Sequence, residues 1–124
     1  LDAAPGWALA PVNLMSCFGL HRALRGATVG HLAATEITSS PGSARLLAGL
    51  ERLDAPEPCR HFYREHIEAD AVHEQVLRTD VVGELVATEP ELESDIVFGI
   101  RGFLVVEDAF DRGLQSGWGT VSAP

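Results

Sequence analysis

The sequence predicts an all-α protein, and three observations carry that expectation. Apolar residues recur at the 3.6-residue period along most of the chain. No segment shows the apolar–polar alternation of a half-buried strand. Helix-start and helix-stop signals divide the chain into about five helices. With 124 residues, 46% of them hydrophobic, residues 1–124 are expected to form a single domain with a sizeable core.

Residues 1–10 carry Pro5 and Gly6 and read as an extended lead-in. A helix is expected from Pro11, where a first-turn Pro forfeits no hydrogen bond. Leu14, Phe18, Val29, Leu32, Ala33 and Glu36 share one side of it. Gly19, Gly26 and Gly30 each weaken a helix by up to about 1 kcal/mol relative to Ala, which suits a place where another helix or a ligand comes close. Glu36 stands on the apolar arc near the expected helix end. His31 projects to the other side with Leu20 and Leu24, which favours a structural role. Ser40 and Pro41 read as the N-cap and first residue of a second helix, with Leu46, Leu47, Leu50 and Leu53 as its buried stripe.

A connector at residues 54–58 leads into a third helix from about Pro56 to Arg78. Asp80 is placed to cap a short helix through Val86. Thr88-Glu89-Pro90-Glu91 matches a capping box that opens the last helix, expected to reach about Ser116 with Gly117 just beyond its end. There Ile96, Ile100, Phe103, Glu107, Phe110 and Leu114 form one stripe. A carboxylate inside such a stripe is unusual. Glu107 is a candidate to accept a hydrogen bond from a metal-bound histidine, or else to pair with a buried Arg. The Gly6-Trp7 and Gly117-Trp118 pairs read as packing anchors.

Nine basic residues, all Arg, against eighteen acidic ones give a net charge of −9. That balance argues against a nucleic-acid partner, which requires a basic face. No apolar run is long enough to cross a bilayer, and Leu1 to Leu9 lacks the basic flank of a signal peptide, so a cytoplasmic protein without membrane contact is expected. Cys17 and Cys59 are isolated and far apart, with no C-x-x-C; they allow one disulfide, and two lone thiols are the blander expectation. Ala, Gly and Arg without Lys is a composition typical of GC-rich bacterial coding. There is no internal repeat and no Gly-rich phosphate loop.

The third helix carries the chemistry. At 100° per residue, His66, Asp70 and His73 fall at about 0°, 40° and −20°, on the same arc as Phe62, Ala69 and Leu77. Buried imidazoles and carboxylates need partners, and a metal suits all three. His66 and His73 are separated by roughly 10.5 Å of helix rise, a long reach for one ion, so the His-x-x-x-Asp-x-x-His spacing suits two neighbouring metals better. The bland alternative is a helix with surface histidines salt-bridged to nearby charges.

Together Glu36, His66, Asp70 and His73 resemble the C-terminal half of the heme-oxygenase-like diiron oxidases and oxygenases, the iron-containing redox enzymes. In that family a central helix supplies His-x-x-x-Asp-x-x-His and a preceding helix a Glu about thirty residues earlier, as Glu36 precedes His66 here. The stretch Gly-His-Leu-Ala-Ala-Thr-Glu-Ile-Thr-Ser-Ser-Pro-Gly also resembles the bacterial branch, and the likeness covers most of residues 10–117. It implies a heme-oxygenase-like helical bundle of which this chain is about half, and two non-heme irons with no heme. Glu36, His66 and Asp70 would serve one iron, and His73 would face the other. The family's remaining carboxylates and histidine come from earlier helices that nothing here matches; His21 and His31 lie too close to Glu36 to replace them. An N-terminal half, or a second chain or copy, would then complete the bundle. The implied activity is O2-dependent oxidation of a small organic acid or amine. The competing expectation is a metal-poor helical bundle used for ligand binding or oligomerisation, without catalysis.

Overall fold

The structure, a computed structural model, describes residues 4–118. These residues are helical with no strand among them, in the order α1 (Gly6–Leu20), a 3₁₀ turn (Arg22–Leu24), α2 (Arg25–Arg52), α3 (Glu57–Val76), a π-helical segment (Leu77–Gly83), α4 (Glu84–Thr88), a second 3₁₀ turn (Pro90–Leu92) and α5 (Glu93–Trp118). They divide into two compact units, residues 4–31 with 92–118 and residues 32–91.

The first unit is organised on α5. Its expected stripe holds at the centre, with Ile96 and Phe103 buried. α2 begins against it so closely that a Cβ on Gly30 would lie 2.0 Å from the Ile96 carbonyl oxygen, and one on Gly99 2.0 Å from that of Ala27. Only hydrogen fits at those two positions. α1 packs on the same helix: Trp7 meets Phe110 edge-on at 5.7 Å between centroids and lies over Gly113, while Phe18 lies 5.8 Å from Phe98. Trp118, expected to be a packing anchor, is exposed.

The helix expected to run unbroken from Pro11 to Glu36 is interrupted. It starts earlier, at Gly6, so that Pro11 lies inside it, and it stops at His21, whose backbone is extended at φ −110° and ψ 107°. The break has a packing reason. A straight helix cannot lay both Phe18 and Ala27 against α5, whereas two helices joined at an angle can.

The second unit departs further from expectation. α2 continues through the predicted boundary at Ser40-Pro41 and ends only at Arg52. An interior Pro costs about 3 kcal/mol or more in a helix; here Pro41 is exposed, and the Ser40 hydroxyl, expected to cap a new helix, bonds to α3 instead, as does that of Ser39. Leu46 and Leu53, expected to be buried, are exposed, while Ser43 is buried. The helix closes in a Schellman arrangement in which Ala55 N–H donates to Leu50 O and Asp54 N–H to Glu51 O. Asp54 takes the left-handed position at φ 48°, the place glycine usually fills. Asp80 caps nothing, because α3 passes directly into the π-helical segment. Thr88 does not open α5 either; its hydroxyl donates back to Glu84 O at 2.8 Å, and a 3₁₀ turn precedes α5. Gly117 lies within α5.

Candidate metal centre

The site belongs wholly to the second unit. Asp70 lies in the C-terminal half of α3 and is buried, at 5% exposed. From α2, Ser39 Oγ donates to Asp70 Oδ2 at 2.5 Å, and one residue on, Ser40 Oγ donates to the Ile67 carbonyl at 3.2 Å. The free edge of Asp70, Oδ1, lies 3.5 Å from His73 Nδ1, and the same nitrogen is 3.1 Å from Glu36 Oε2. The i,i+3 spacing of Asp70 and His73 brings those two groups together, and Glu36, one turn before Ser39 on α2, closes the triangle. One donor atom from each of Glu36, Asp70 and His73 falls within 4.8 Å of the others. Glu36 is half-buried and His73 exposed, so the group opens outward from a buried floor.

His66 is not in this group. Its Nδ1 lies 2.7 Å from the Phe62 carbonyl one turn back, and its ring stacks on Phe62 at 4.1 Å between centroids. A carbonyl only accepts, so Nδ1 carries the proton, which in a neutral imidazole leaves the lone pair on Nε2. That tautomer is the one a metal-bound histidine commonly shows, its second nitrogen tied to a carbonyl. The expected sharing of one ion by His66 with Glu36 and Asp70 thus gives way to a group in which His73 takes that place. Glu107 is half-buried on α5 in the first unit and is not among the three residues that come together. His31, read as structural, is buried and packed edge-on between Phe18 and Phe103 at 5.9 and 5.3 Å. Burial alone holds its pKa below the usual 6.5, which favours the neutral ring.

Ser39 is the site residue that the sequence did not disclose. Its place in the Thr38-Ser39-Ser40-Pro41-Gly42 run made it look like helix punctuation. The available signal was periodicity: it stands three residues after Glu36, on nearly the same face.

Two carboxylates and an imidazole in reach of one point form a donor set for a divalent cation such as iron, manganese or zinc. The fit rests on geometry as well as donor type, since one oxygen from each of the two carboxylates lies 3.1–3.5 Å from His73 Nδ1. A helical scaffold with such a group is one that can hold a redox metal. The chain belongs to the family of iron-containing redox enzymes, whose model matches residues 1–108. This is the heme-oxygenase-like helical family that Glu36 and His-x-x-x-Asp-x-x-His indicated. No curated protein and no solved structure matches the chain.

Proposed function

We propose that the chain is the C-terminal half of a non-heme diiron oxidase or oxygenase that uses O2 on a small organic acid or amine. The observation that carries this reading is the convergence of Glu36, Asp70 and His73 within 4.8 Å in a chain of the iron-containing redox family. Iron held there supplies electron transfer to O2, chemistry that no side chain provides.

The chain's own residues do the holding. Asp70 supplies a buried, hydrogen-bonded carboxylate whose orientation is set from α2. Glu36 is the more exposed carboxylate, free to adjust as a cation enters. His73 presents Nδ1 and must release the proton that otherwise bonds to Glu36. His66 keeps Nε2 as its acceptor, ready for a second ion. Its remaining ligands come from an N-terminal half or a second chain or copy. The exposure of Phe62, Val72 and Val76 on the same broad side of α3 as His66 and His73 supports such a partner, because apolar surface beside ligands is what a covering helix would bury. The two free thiols, Cys17 and Cys59, suit a cytoplasmic setting.

Anaerobic Fe(II) titration followed by O2-uptake measurement tests this reading. Asp70→Ala should lose most of the bound iron. Glu74→Ala should keep it, since Glu74 is engaged with Arg78 at 3.0 Å. Equal retention in both variants, or a wild-type chain that takes up no iron, would leave the non-catalytic bundle as the better account.

A further inference from the structure

We infer that Ser39 is a positioning residue for this metal group: its hydroxyl occupies Asp70 Oδ2 and thereby presents Oδ1 alone to Glu36 and His73. The inference rests on the proposed metal reading. Its evidence is the direction of one hydrogen bond. Ser and Thr inside helices ordinarily bond back to the carbonyl one turn earlier. Thr28, Thr38, Thr79 and Thr88 all do so, donating to Leu24, Ala34, Gln75 and Glu84. Ser39 instead donates its hydrogen bond to a carboxylate 31 residues away.

The recipient explains why that bond matters. Asp70 is buried, and a buried carboxylate is costly unless its oxygens are bonded. An ionised carboxylate only accepts, so Ser39 is the donor. With Oδ2 engaged, the carboxylate is fixed in rotation, and Oδ1 is the oxygen that faces His73 Nδ1. Without the hydroxyl, the carboxylate loses its fixed orientation and Oδ1 is no longer held toward the cation, so binding weakens and the donor geometry changes. Ser40 provides an internal control. It ties the same two helices together through the Ile67 carbonyl and touches none of the three donors.

The test uses the untagged chain, with Co(II) as the probe, in equilibrium titration and visible absorption, a signal sensitive to donor geometry. Ser39→Ala should bind Co(II) about 10- to 100-fold more weakly, the usual effect of removing a group that orients a ligand, and its visible bands should change. Ser39→Thr, which retains the hydroxyl, should restore the wild-type spectrum and most of the affinity. Ser40→Ala should lower thermal stability but leave both unchanged. Ala favours helix more than Ser, so α2 is retained in both alanine variants. Wild-type affinity and spectrum in Ser39→Ala would overturn the inference, as would equal weakening in Ser40→Ala with no spectral change in either. A wild-type chain that binds no Co(II), Fe(II) or Mn(II) would instead overturn the metal reading itself, and this inference with it.

Discussion

The two units of this chain are held together by different physics. The first is a fit of shapes. Phe18, Ile96, Phe103 and Leu92 are buried, and Gly30 and Gly99 let two helix backbones touch. The second buries little beyond Ala33, Ala34 and Leu77, and it also buries Ser43 and Asp70. Its helices are tied by side-chain polar bonds from Ser39, Ser40 and Glu36. The contrast teaches where each unit is vulnerable. A close-packed crossing fails when volume is added, whereas a polar group fails when a partner is removed and gains when a cation arrives.

The largest expected effect follows from the crossing. Gly99→Ala would place a Cβ 2.0 Å from the Ala27 carbonyl oxygen, and backbone cannot move aside as a side chain would. Overpacking costs roughly 1–3 kcal/mol and occasionally more; this substitution belongs at the upper end or beyond. Gly42→Ala, in the second unit, meets nothing within 4 Å and should gain up to about 1 kcal/mol from helix propensity. Chemical denaturation of the two variants reads both signs. Similar stabilities would break the claim that the first unit depends on close approach.

Cation binding should act in the other unit. A ligand that binds only the folded state at a hundredfold excess over its Kd stabilises by about 2.7 kcal/mol. Hydrogen exchange with and without Fe(II) or Mn(II) should show the added protection concentrated in residues 32–91, reversed by a chelator and absent in Asp70→Ala. Protection spread evenly over the chain would contradict the local origin proposed for it.

The same contrast decides what the sequence could show. The all-α class and the α5 stripe were legible because apolar periodicity is a property of one helix at a time. So was the pairing of Asp70 with His73, since an i,i+3 spacing on one helix is local. The extent of α2 was not legible. Ser39-Ser40-Pro41 carries every local sign of a helix start, yet both hydroxyls are used on α3, a tertiary contact that no local pattern encodes. His66 shows the complementary limit. Its arc matched Asp70 and His73, but its rotamer is set by the Phe62 carbonyl and ring, which send the imidazole elsewhere.

A smaller effect should come from His31 in the first unit. Its pKa in the folded chain lies below the usual 6.5 because the ring is buried. As pH falls through that value, the unfolded chain takes up the proton first. The stability from the neutral ring is therefore complete above about pH 6.5 and declines as pH drops below it. Melts from pH 8 to pH 5 on wild type and His31→Gln should show this slope flattened in the variant. An unchanged slope would assign the acid sensitivity to other groups and remove His31 from the account of that core.

The smallest expected effect is at the turn that ends α2, where the second unit departs from ideal backbone. Asp54 holds φ 48°, a conformation that costs an L-residue about 1–2 kcal/mol through its Cβ. Glycine escapes that cost but loses about 0.5–1 kcal/mol of additional chain entropy on folding. The Arg60 contact to Asp54 offers little compensation, since it is 3.9 Å long and the Asp54 side chain is 99% exposed. Asp54→Gly should therefore stabilise the chain by about 0.5 kcal/mol, the difference between the two opposing terms. A urea titration should show a higher midpoint at unchanged slope, because the exposed area on unfolding stays the same. A lower midpoint would mean that Asp54 contributes a bond worth more than its strain, and the second unit would then owe another part of its stability to polar contacts.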